Sequence, residues 1–93
     1  MSRIQLRRSH DFTAKVARQK VDRMAAALAK RFEAECCWKG NVLSIEHSSV
    51  AGRIVVGKDE IVVDAKLGFL LAMFRDRVDQ ELAQILDAEF PDG

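Results

Sequence analysis

Residues 50–74 read VAGRIVVGKDEIVVDAKLGFLLAMF, and their pattern decides the fold. Ala51 to Val56 ends in the β-formers Ile54, Val55 and Val56, then Gly57-Lys58-Asp59 supplies turn residues. A second β-rich run follows from Ile61 to Lys66. Two such runs around a short glycine-containing turn specify a β-hairpin. After Gly68 the period changes to that of a helix, with almost no residues spent on linkers. Gly52, inside the first strand, signals a bulge or a close approach of backbone.

Working back from this hairpin, two more strands precede it. Glu35–Lys39 and Val42–His47 flank Gly40-Asn41, a second hairpin turn, and Ser48-Ser49 turns the chain into the third strand. Upstream, Ala17, Val21, Met24, Leu28 and Phe32 recur at helical spacing, with Lys15, Arg23 and Lys30 on the opposite face. They predict an amphipathic helix of about five turns, capped by Asp11 or Thr13. Arg3 to Arg7 alternates polar and apolar, as a half-buried strand does.

Downstream, a last helix is expected from after Gly68 to about Glu89, ahead of Pro91. Its inward stripe is Leu71, Phe74, Val78, Leu82 and Ile85, with Leu86 at the margin. Its first turn is apolar all round: Phe69 and Met73 point away from the stripe and Leu70 flanks it. A turn of that kind calls for a cover, from the same chain, a second copy or a hydrophobic surface.

The order β-α-β-β-β-β-α gives one α+β domain over residues 1–93, a two-layer sandwich of two long helices on one antiparallel sheet. The wetter sheet face is expected to present Arg3, Arg7, Arg53, Asp64 and Lys66. With 48% apolar and 31% charged residues, no apolar leader and no run of membrane-spanning length, a soluble cytoplasmic protein without a transmembrane segment is expected.

Charge is unevenly spread. Residues 1–40 carry ten Lys/Arg against four Asp/Glu, a balance of +6, and residues 41–93 a balance of −5. The basic half could meet phosphates, but its three aromatic residues, Phe12, Phe32 and Trp38, do not alternate with the basic ones as a nucleic-acid platform requires, so no nucleic-acid partner is expected. Neutralisation of one half by the other, within a chain or across a dimer, is the favoured reading. These opposed halves and the spare apolar turn are features a two-fold interface can use, which makes a homodimer one expectation.

No chemistry-bearing pattern emerges. Cys36 and Cys37 are adjacent, so on a strand they face opposite ways, and His10 and His47 lack ligand spacing to them. Neither a metal nor a cofactor is expected. Glu46 and His47 likewise face apart, and Ser48 and Ser49 suit a turn better than a nucleophile. The expectation is a protein that is not an enzyme.

IQLRRSHDF, then AR, WKGNVLSIE, VAGRIVV and KLGFLL carry a resemblance that spans Arg3 to about Leu86. With these segments the chain resembles the bacterial family of polyhydroxyalkanoic acid system proteins, small proteins linked to polyester storage-granule regions. Its most specific parts are Trp38-Lys39-Gly40-Asn41, with Asn41 where an aspartate is expected, and Lys66 to Leu71. The Cys36-Cys37 pair is a departure from that pattern.

The resemblance implies a non-enzymatic accessory protein of polyhydroxyalkanoate metabolism, acting by contact with a granule surface or a granule protein. Phe69, Leu70 and Met73 are the expected contact. An alternative, prompted by Gly52 and the lining Ile54, Val56, Ile61 and Val63, is a small carrier holding an acyl or other apolar ligand between a curved sheet and the last helix.

Overall fold

The computed structural model describes residues 2–47, 50–68 and 72–91. The elements follow the expected order: β1 (Ser2–Ser9), α1 (Ala14–Phe32), β2 (Glu35–Lys39), β3 (Val42–His47), β4 (Val50–Val56), β5 (Glu60–Leu67) and α2 (Arg75–Glu89). The five strands form one sheet in the order β1-β5-β4-β3-β2, antiparallel throughout. The fold is α+β.

The topology follows from local chemistry. β1 and β2 lie at opposite edges of the sheet, so α1 must carry the chain across it. Nineteen helical residues reach about 28 Å, against about 19 Å for the sheet's width. Thr13 caps α1, its Oγ1 accepting from the Val16 N–H at 3.2 Å. Glu33 ends it in the left-handed region at φ 54°. The meander from β2 to β5 then returns to β1. Its first turn has positive φ only at Gly40 (60°), the glycine-first pattern of a two-residue hairpin. Its last turn closes with Gly57 N–H donating to Glu60 O at 2.8 Å.

Both helices lie on the same side of the sheet, α1 over β2 and β4 and α2 against α1 and β1. Ala17, Val21, Met24 and Leu28 from α1 meet Val78, Leu82, Ile85 and Leu86 from α2. Beneath them sit Ile4, Leu43, Ile45, Ile54, Ile61 and Val63 of the strands. Among the described residues no polar or charged side chain is buried.

Gly52 pairs in register with Ile45 and Ala65, so the sheet has no bulge there. A Cβ at this position would stand 3.0 Å from Asp64 O and 3.4 Å from the Ala65 Cβ, so close backbone approach is the reason for the glycine.

The last helix departs from expectation. It begins at Arg75, not directly after Gly68. Gly68 O accepts from Ala72 N–H at 2.9 Å, but Phe74 lies outside helical geometry at φ −112°, ψ 25°. Phe74 is therefore 56% exposed, not inward, while Leu86, read as marginal, is wholly buried. Leu71 lies outside the described residues.

Candidate functional site

The break before α2 puts two large apolar side chains into solvent. Leu67 ends β5 in the core, and Val78 N–H donating to Phe74 O at 3.0 Å starts α2. Between them stand Met73, 76% exposed, and Phe74. Arg75, Asp76 and Arg77 follow directly. Asp76 suits the positive end of the helix. Arg75 donates from Nη2 to Arg3 O at 3.3 Å, tying the turn to the start of β1. The result is an apolar tip rimmed by two arginines.

Of the three expected contact residues, Met73 is on this tip, whereas Phe69 and Leu70 lie outside the described residues. Phe74 was missed, because helical spacing from Val78 sends it inward. Phe12 and Val16, each partly exposed, form another apolar spot near the far end of α2, where Phe12 packs edge-on against Phe90. Fifteen residues of helix, about 22 Å, separate the two ends.

The open sheet face carries the expected Arg3, Arg7, Arg53, Asp64 and Lys66, and most of its charge is internally matched. Arg3 holds Asp64 with two parallel bonds, Nε to Oδ1 at 2.8 Å and Nη2 to Oδ2. Hydrogen bonding from Arg3 pulls the Asp64 carboxyl below the usual carboxylate range, aided by the nearby charges of Arg53 and Lys66. Arg7 meets Glu60, Arg8 meets Asp87, and Lys20 and Arg23 meet Glu89. Each of these pairs joins the basic front half to the acidic back half within one chain.

The polar residues with reactive side chains are occupied structurally or held apart. His10 has Nε2 2.9 Å from Gly57 O, and its Nδ1 accepts from Phe12 N–H at 3.1 Å, so both ring nitrogens fasten the β1–α1 connection to the β4–β5 turn. Glu46 is exposed on the open face while His47, next to it on β3, turns toward the helices. Cys36 faces α1, where burial pushes its thiol above the ordinary value, and Cys37 is exposed on the other face. Among the described residues no three His, Cys, Asp or Glu gather as a metal site. No described helix is long and apolar enough to cross a membrane.

Between sheet and helices, where an apolar ligand was an alternative, lies a wholly apolar cavity lined by Leu28, Phe32, Ile45, Val63, Val78 and Leu82 among others. Its volume is about 30 Å³, the space of a single water. Small-molecule pockets run from about 300 Å³ upward. Side chains fill this core.

No curated protein and no solved structure matches the chain. A family model does, over residues 4–90, nearly the whole length across which the fold has been described. The chain belongs to the family described as "Putative polyhydroxyalkanoic acid system protein".

Proposed function

We propose that this chain is a non-enzymatic accessory protein of polyhydroxyalkanoate storage, working in the cytoplasm by docking on the polyester granule through the Met73-Phe74 tip. The family supports the polymer connection, and the exposure of Met73 and Phe74 between β5 and α2 is the observation that carries the site. Such a tip resembles an interfacial anchor: apolar side chains enter the surface layer while Arg75 and Arg77 stay at its polar boundary. Met73 and Phe74 offer on the order of 200 Å², about 5 kcal/mol if wholly transferred, from which ordering costs are subtracted.

The test is partition of a tagged copy between isolated granules and the soluble fraction of a polymer-accumulating bacterium. Enrichment that survives a salt wash is expected, since the contact is chiefly apolar. Met73→Asp and Phe74→Asp should each lower it at least tenfold, with unchanged circular dichroism because neither side chain is in the core. A wholly soluble wild-type chain overturns granule docking, and unchanged partition of both variants overturns the site.

A further inference from the structure

The sheet has two open edges, and one of them is complementary to itself. β2, with the sequence Glu35-Cys36-Cys37-Trp38-Lys39, is the outermost strand beyond β3. Which of its backbone groups face outward follows from the ladder. Asn41 O accepts from Val56 N–H on the β4 side at 2.8 Å. Backbone groups alternate sides along a strand, so Val42 and Ser44 bond toward β2. Their partners are Lys39 and Cys37. Cys36 and Trp38 therefore direct their N–H and C=O groups at the open edge.

We propose that two copies of this chain pair antiparallel along β2, about a two-fold axis at Cys37, to make one continuous sheet. In this register Cys36 and Trp38 of one copy exchange both backbone bonds with Trp38 and Cys36 of the other, which satisfies the outward groups. Cys37 stands opposite Cys37 as a non-hydrogen-bonded pair, the closer of the two antiparallel spacings. Glu35 stands opposite Lys39, and by symmetry Lys39 opposite Glu35.

Charge is what commits this edge to a second copy. Within the chain Glu35 lies directly across from Glu46, both exposed, a like-charge pair that disfavours the strand. The Lys39 of a second copy would sit on the other side of Glu35 and offset that repulsion. The other edge, β1, carries Arg3, Arg7 and Arg8 and no acidic residue, so it lacks this complementarity.

β2 is also held ready. Trp38 Nε1 donates to Asp22 Oδ1 at 2.6 Å and the Arg18 guanidinium lies 4.3 Å from the indole centre, both from α1. A strand fixed in this way loses little freedom on pairing.

Sedimentation of the full chain over a concentration series reads the association, with diamide as a covalent probe. Diamide takes two electrons and two protons from a pair of thiols, leaving one disulfide and reduced diamide. The expected result is a reversible dimer whose diamide cross-link maps to Cys37 and vanishes in Cys37→Ser. Glu35→Lys and Lys39→Glu should each weaken the dimer about tenfold, since each turns attractive cross-strand pairs into repulsive ones. The double reversal should restore it. Glu35→Lys should also leave the monomer no less stable, because it replaces the Glu35–Glu46 repulsion by attraction. A chain that stays monomeric throughout overturns the proposal. So does a dimer that ignores the single reversals, or a double reversal that fails to restore it.

Discussion

Two phenylalanines flank α2, and truncating each to alanine separates a core role from a surface one. Phe90, just past the end of the helix, is 1% exposed, with its ring centre 5.7 Å from that of His10 and 6.0 Å from that of Phe12. Its N–H donates to Leu86 O at 2.8 Å, a backbone bond that Phe90→Ala keeps, so the loss is that of the ring. Buried Phe→Ala changes cost about 3–5 kcal/mol. Here the lower end applies, because part of the ring's packing is against His10 and the partly exposed Phe12 and not against the aliphatic core. At about 4–8 °C per kcal/mol, Tm should fall by about 12–24 °C. Phe74→Ala removes a mostly exposed ring and should shift stability by no more than about 0.5 kcal/mol. Urea unfolding of both variants, followed by circular dichroism and by the fluorescence of the single tryptophan, Trp38, measures the contrast. Equal losses would refute the reasoning, for they would mean that α2 continues back through Phe74 with its ring against the core.

Three further outcomes test local features of the fold. Because Asp64 titrates lower in the folded than in the unfolded chain, its pairing with Arg3 stabilises above the unfolded carboxylate range and loses that contribution as pH falls through the folded value. The urea midpoint of the wild type should therefore drop below about pH 4, and Asp64→Asn should flatten that part of the curve. Glu33→Gly should raise stability by about 0.5–1 kcal/mol in the same assay, since a side chain at φ 54° is strained and the gain exceeds glycine's added freedom when unfolded. Gly57→Ala should lower it by about 1–3 kcal/mol, because the new Cβ would stand 2.8 Å from Glu60 O.

The sheet was legible because its signals are local and redundant. The period-two runs, the Gly40-Asn41 and Gly57-Lys58-Asp59 turns and the absence of long linkers each specify the same meander, and strand ends moved by only a residue or two. The α1 stripe was equally plain: Ala17, Val21, Met24 and Leu28 are all buried, and Phe32 is half-buried against them. What no sequence window contains is the pairing between distant charges. That Arg3 takes Asp64, or that Glu89 receives Lys20 and Arg23, depends on β1 lying beside β5 and α1 beside α2. The sequence carries the charge asymmetry; only the topology turns it into ion pairs within one chain.

The candidate site was half legible, and the reason lies in one arithmetic rule applied to both ends of α2. Steps of four from Val78 lead through Leu82 and Leu86 to Phe90 in one direction and to Phe74 in the other. The rule holds forward, where Phe90 N–H still bonds back to Leu86 O and the ring reaches the core. It fails backward, because α2 begins only at Arg75 and the backbone at Phe74 lies outside helical geometry. Had the period run on, Phe74 would be core and Met73 would lie on the opposite face of the helix. The break instead gathers both at one exposed corner beside Arg75 and Arg77. A local rule that fails while its cost goes uncompensated by burial is where function is to be sought. By that reasoning the Met73-Phe74 tip, more than any residue that obeyed the pattern, is the part of this chain that stability alone does not explain.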